Sequence, residues 1–315
     1  MKPEILDIIR CTCGRGDFSL RVTGCKDHDI IEGAVLCSHC QKEFKITSGI
    51  LDMVSGAASR EDETRGWASF AGKEGWLSPN PVYLSSLPFP ASKNFHPGDT
   101  LTWERHGRNF FRTLAHLDLN AKRVLDLGAG RCWTTKYLAL MNARCVATDL
   151  VVENNIGLQT GAFYMQESLV YFDRVRCDMH CLPFCDASFD IVLAQGSIHH
   201  SSNLRASIFE ASRVLKEGGQ LVLTNESCSE PNGLERLEVK DMPGIHEHNY
   251  RGYHQLKWFV QAGFGNFEVI PDAYFYRRDD PYYVPFSDWG RIHPLFISLK
   301  LLWYGGVYNL IAVKK

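Results

Sequence analysis

Hydrophobic and polar positions along this chain change their spacing several times, and each change marks an element. Between residues 100 and 119 the apolar positions recur at helical intervals. Trp103, Phe110, Phe111, Leu114 and Leu117 fall on or near one face, which predicts a helix packed beside a sheet. Val124-Leu125 is then a short apolar run leading into Asp126 and a glycine turn, Gly128-Ala129-Gly130. Thr134, Tyr137, Leu138 and Leu140 follow at roughly helical spacing. Strand, tight turn and helix in that order predict the first unit of a doubly wound α/β sheet. Residues 144–149, 175–179, 188–194 and 220–225 read as further strands, and residues 213–219 as a helix end with a glycine stop. Residues 267–271 and 307–313 read as the last two strands, an antiparallel end to a seven-stranded sheet.

Ligands in such folds bind beyond the carboxyl ends of the strands, and three of these strands end in acids. A dinucleotide loop reads G-x-G-x-x-G, but Trp133 stands at its last glycine. Asp126 at the mouth of the loop would repel a pyrophosphate and suits a ligand carrying positive charge, such as an amino group beside a sulfonium. Asp149 lies 19 residues after Gly130, close to the roughly 20 at which an acid reaches a ribose hydroxyl pair. Asp178 ends the third strand, placed to accept from an adenine amino group.

This ordered series closely resembles the class I S-adenosylmethionine-dependent methyltransferases, over roughly residues 100–270. The resemblance implies a Rossmann-like seven-stranded sheet and a cofactor set of Asp126, Gly128, Ala129, Gly130, Asp149, Leu150, Asp178, Met179 and Gln195. Within it, Asp126 and the glycines would meet the methionine part, Asp149 the ribose, Asp178 and Met179 the adenine, and Gln195 the methyl region. Cys132 stands where many members carry a third glycine.

The formal charge of −2 and pI near 6.6 give no basic field for long nucleic acid. The first residues hold no apolar signal core, no stretch long enough to span a bilayer is free of charge, and eleven cysteines fit a reducing compartment. A cytoplasmic protein is expected.

Five cysteines fall within the first 40 residues, and Cys37-Ser-His-Cys40 has the spacing of a zinc knuckle. Apolar and polar positions alternate around it, as in short strands. A module of about 55 residues buries little core and usually needs a staple such as a metal. Residues 1–56 resemble the small zinc-ribbon domains found alone or ahead of bacterial methyltransferases. Cys11-Thr-Cys13 has one intervening residue where that family usually has two. The expected Zn²⁺ ligands are Cys11, Cys13, Cys37 and Cys40, with Cys25 as an alternate; four thiolates leave no open position for catalysis.

Residues 57–99 are rich in aromatics and read as a connector folded over the core, a lid or a packing strap. The remainder, residues 100–315, carries substrate-side inserts at about 228–255 and 272–306. His199 and His200 follow the fourth strand, near the expected methyl-transfer point, and imidazole is the usual base near neutral pH. His246 and His248 flank Glu247 before Tyr250; the segment resembles ones in methyltransferases of sugar and secondary-metabolite gene clusters, and with Glu247 it offers a divalent-ion site. His106 and His116 read as surface or cap residues. The expected activity is methyl transfer from S-adenosylmethionine to a small or medium-sized acceptor, a sugar or secondary metabolite. The alternatives are an rRNA or tRNA base methyltransferase that recognises RNA through the ribbon, a non-catalytic cofactor-binding or scaffold protein, and a non-methylating enzyme using the same pocket. The amino-terminal module or the 272–306 insert offers a face for oligomerisation.

Overall fold

The computed structural model describes residues 1–54, 58–73, 77, 81–90, 97–229, 236–237, 245, 247–270, 272 and 306–315. The amino-terminal alternation becomes a meander of β1 (Phe18–Lys26), β2 (Asp29–Cys37), β3 (Glu43–Thr47) and β4 (Ile50–Asp52). The connector contains α1 (Ala58–Lys73) and α2 (Pro81–Ser86), and the amphipathic run before the glycine loop is α3 (Pro97–Leu114). Next come β5 (Arg123–Leu127), α4 (Trp133–Leu140), β6 (Arg144–Asp149), α5 (Gly161–Ser168), β7 (Asp173–Arg176), β8 (Phe189–Gln195), α6 (Leu204–Val214) and β9 (Leu215–Cys228). A small hairpin of β10 (Arg236–Leu237) and β11 (Glu247–His248) precedes α7 (Gly252–Gln261), β12 (Phe264–Ile270) and β13 (Gly306–Lys314).

The expected α/β sheet is present in the order β7-β6-β5-β8-β9-β13-β12, with β7 to β9 parallel and the β13-β12 end antiparallel. The sheet does not end with these seven strands. Strand β4 pairs in parallel with β7, so the amino-terminal meander continues the sheet to eleven strands. The predicted glycine stop is also displaced: α6 ends at Val214, and Gly218-Gly219 lie within the long β9, where Gly218 takes a φ of +72°.

Side chains alternate across each strand, and the two faces bury different layers. Leu125 and Leu127 pack with Val175, Phe184, Ile208 and Phe259, and on the same side with Phe44, Ile46 and Leu51 of the meander. Val124, Ala147, Ile191 and Val222 pack on the other face against Phe110, Trp133, Leu138 and Tyr164. Strand β8 is almost wholly buried, as a central parallel strand covered on both faces should be. No described helix is long and apolar enough to cross a membrane. Of the 272–306 insert, only Asp272 and Gly306 lie within the described residues.

Candidate functional site

A cleft of about 350 Å³ opens at the carboxyl ends of β5, β6 and β8. Its floor is the glycine turn. Gly128 has a φ of +71°, and a Cβ there would lie 2.6 Å from the Cβ of Ser197, so only glycine fits. Gly130, at φ +48°, donates its N–H to Asp149 Oδ2 at 2.7 Å, while Val151 N–H donates to Asp149 Oδ1 at 2.8 Å. Asp149 thus holds the turn and still lines the cleft with Gly128, Ala129, Gly130 and Leu150. Burial pushes its carboxyl above the usual range. Cys132, the departure from the expected third glycine, takes φ +64° and caps α4.

Asp126 stands elsewhere. Its alternation along β5 turns it towards α4, where it is enclosed and does not line the cleft. Thr134 and Thr135 hydroxyls both donate to its Oδ2, at 2.6 and 2.5 Å. Its Oδ1 has no hydrogen-bond partner among the described residues. Burial raises its carboxyl to about 6.

Met179 lines the cleft and Asp178 lies behind it, also buried. Asp178 Oδ1 accepts from His180 Nδ1 at 2.6 Å, and His180 Nε2 meets Ser201 Oγ at 2.8 Å. At the β8 end, the Gln195 Oε1 accepts from the Thr224 hydroxyl and from Asn225 Nδ2, the latter at 3.0 Å. Asn109 Nδ2 donates to Asn225 Oδ1 at 2.7 Å, which ties α3 into the same network. With its oxygen committed, Gln195 keeps a buried amide nitrogen without a partner among the described residues, on the wall of the cleft. A buried donor left unmade costs roughly 1–3 kcal/mol, a demand that a polar ligand would meet.

The segment after β8 is organised by Glu226, a buried carboxylate on β9. It accepts from the backbone N–H groups of Ser197, Ile198 and His199, at 2.8, 3.1 and 3.2 Å, and from His199 Nδ1 at 2.9 Å. His199 is therefore turned towards Glu226, whereas His200 lines the cleft, its ring edge-on to Trp67 at 5.2 Å. Strand β11 packs against this segment, which brings His248 into its neighbourhood, stacked on Tyr250. His246 lies outside the described residues. His116 conforms to its surface reading, paired with Glu268. His106 does not: it lines the cleft from α3, and burial, then Arg105 and His199, lower its imidazole to about 4. Its spacing from Trp103 and Phe110, three back and four on, was the available signal for a buried face.

The connector covers the cleft. Glu63, Trp67 and Ala71 recur every four residues along α1 and all line it. Trp103 and Trp133 complete a wall that is mainly apolar and aromatic.

The cysteines form a second centre. The sulfurs of Cys11, Cys13, Cys37 and Cys40 all lie within 4.8 Å of one another, with Cys11–Cys40 at 3.6 Å and Cys13–Cys37 at 3.8 Å. A tetrahedron of ~2.3 Å zinc–sulfur bonds has edges of about 3.8 Å, so the set fits the ion. Cys25 is exposed on β1 and is not part of it. Backbone N–H groups of Cys40 and His39 lower the Cys37 thiol to about 7, while burial pushes Cys11 up to about 12. No other such metal-ligating group occurs among the described residues.

Residues 125–223 match the family model described as a methyltransferase domain. An uncharacterized methyltransferase, YcgJ of Bacillus subtilis, is 32% identical over 118 residues, 36% of this chain and 45% of that protein. A demethylmenaquinone methyltransferase of Corynebacterium glutamicum is 35% identical over 159 residues, 48% of this chain and 63% of that protein. The chain spans about half the length of the curated relatives it matches. Among solved structures, phosphoethanolamine N-methyltransferase 2 of Haemonchus contortus, in complex with S-adenosyl-L-methionine, superposes with a TM-score of 0.53 at 17% identity, covering 86% of this chain and 62% of that one.

Proposed function

We propose that this chain, whose residues 125–223 match a methyltransferase domain, moves a methyl group from S-adenosylmethionine to a small or medium-sized acceptor. The observation that carries the reading is the cleft at the strand ends. Asp149 is fixed there by two backbone N–H groups, a glycine turn lets a ligand approach the main chain, and the Gln195 amide nitrogen has no partner among the described residues. The cofactor, when bound, supplies an electrophilic methyl on a sulfonium. Asp149 would hold the ribose hydroxyls, Met179 with Asp178 behind it the adenine, and the Gly128 turn and Gln195 the amino-acid end.

The chain's remaining tasks are alignment of the acceptor and exclusion of water. Trp67, Trp103 and Trp133 suit a flat, largely apolar acceptor better than a bare sugar. His200 and His106 are the imidazoles on the cleft wall, available to take a hydroxyl proton. His199, held by Glu226, positions that loop. The relatives include methyltransferases of demethylmenaquinone and of phthiotriol/phenolphthiotriol dimycocerosates, which supports an apolar acceptor. The Cys11, Cys13, Cys37 and Cys40 centre would hold a structural zinc ion.

Calorimetry with S-adenosylhomocysteine, followed by transfer of labelled methyl from S-adenosylmethionine to a panel of phenols and quinols, tests this reading. Binding in the micromolar range and label in a phenolic product are expected. No binding at millimolar product nucleoside would end it.

A further inference from the structure

Helix α1 presents one face to the cleft, and that face has two chemically distinct ends. Glu63 and Trp67 are one turn apart, about 6 Å along the axis, and both line the cavity. Trp67 sits at the imidazole end, edge-on to His200. Glu63 sits at the other end, within the field of Asp149 and Asp178. Ala71, a turn beyond Trp67, is fully buried, which anchors the helix against the body.

We infer that Glu63 is a third carboxylate of the nucleoside site, carried on a lid helix, and that it accepts a hydrogen bond from a ribose hydroxyl or the adenine amino group when the cofactor binds. The inference rests on the methyltransferase reading of the cleft and extends it to a residue outside the doubly wound core. A nucleoside presents a hydroxyl pair and an amino group, all donors. Asp149 already accepts from Gly130 and Val151, and Asp178 from His180, so much of their capacity is committed to the protein. A carboxylate arriving from above adds acceptors where the ligand has donors, and closes the helix over the ligand as it does so.

The charges around the cleft also favour this coupling. Asp149, at the end of β6, and Asp178 face Glu63 with like charge, and His180 opposes them. Arg131 and His200 line the same cleft. Burial first, then Asp149 and Asp178, lift the Glu63 carboxyl to about 7. A ligand that donates to the ionised form lowers that value again. Binding therefore releases a proton near neutral pH, and affinity rises with pH through about 7.

The test is calorimetry of S-adenosylhomocysteine binding to the full chain, in two buffers of different ionisation heat, between pH 6 and 8. Wild type should release a fraction of a proton at pH 7. Glu63→Ala should weaken binding by about tenfold or more and abolish the release. Glu63→Gln, which keeps an acceptor and the side-chain volume, should weaken it less and equally abolish the release. A wild-type chain that binds tightly, with both variants binding within about twofold of it and unchanged proton release, overturns the role of Glu63 alone. A wild-type chain that binds no nucleoside overturns the methyltransferase reading as well.

Discussion

Arg176 of β7 joins Asp52 of β4, with Nη1 2.9 Å from Oδ2. The same guanidinium donates through Nε to the carbonyl of Leu150, also at 2.9 Å, and Leu150 lines the cofactor cleft. Two strand positions earlier, the buried Arg174 bridges the carbonyl of Ser48 in the β3–β4 turn to that of Leu158. The cysteine-bearing module is thus bonded through one strand edge to the segment that carries Asp149 and Leu150. The half-buried ion pair itself contributes little, on the order of 1 kcal/mol. The backbone ladder between β4 and β7 matters more.

Metal removal should accordingly be felt in the cleft. Structural zinc in small modules is folding free energy, so stripping it would loosen β3 and β4 and release the edge of β7. The expected outcome is a lower melting temperature together with a fall of roughly fivefold or more in affinity for S-adenosylhomocysteine. Metal content before and after chelation, read beside calorimetry, checks this. Unchanged affinity in demonstrably metal-free protein would show the two centres to be independent.

Gly128→Ala should damage the cleft with little effect elsewhere. The new Cβ would lie 2.6 Å from Ser197 Cβ, and Ser197 cannot retreat easily: its N–H is held by Glu226 and its hydroxyl by the Leu127 carbonyl. Left-handed backbone strain of about 1–2 kcal/mol and overpacking of about 1–3 kcal/mol are expected. Adding Ser197→Gly should recover the second part and leave the first, so the double mutant should be more stable than the single one in denaturant melts.

The strand-end acids were legible because each closes a short apolar run followed by turn residues, a pattern local in sequence. Pairing of β4 with β7 was not. Ile50-Leu51-Asp52 is too short to carry a period, and its partner lies more than a hundred residues away. The lid face was concealed for a different reason. Glu63, Trp67 and Ala71 stand in a largely polar helix, so no amphipathic stripe announces them. Asp126 shows that a residue type can be right for a family and its orientation still be decided by packing: Thr134 and Thr135 capture it behind the loop.

Among the histidines, His200→Ala should slow transfer to a hydroxyl acceptor by about a hundredfold or more, with affinity for S-adenosylhomocysteine nearly unchanged. His199→Ala acts differently. It leaves Glu226 short of one donor while the three backbone N–H groups remain, so it should cost stability and raise the KM for the acceptor before it lowers kcat. Steady-state kinetics beside thermal melts separate the two. Equal losses of kcat in both variants would contradict the assignment.

Two buried groups pull the pH dependence of stability in opposite directions. The Asp126 carboxyl is raised to about 6 in the folded chain, above its ordinary value near 3.9. The folded state therefore holds this proton more tightly, and the group's contribution falls as pH rises from about 4 to about 6, by as much as about 3 kcal/mol. His106 is lowered to about 4, below its ordinary value near 6.5. Its contribution is present above about 6.5 and is lost as pH falls towards 4. Wild type should therefore show a shallow net slope between pH 4 and 7, and each variant should uncover the other group. Asp126→Asn should gain stability relative to wild type as pH rises through 5, leaving a chain that weakens steeply in acid. His106→Gln should do the reverse, staying firm in acid and losing stability towards pH 6. Melting temperatures measured across this range decide it, and parallel curves for the two variants would remove both assignments.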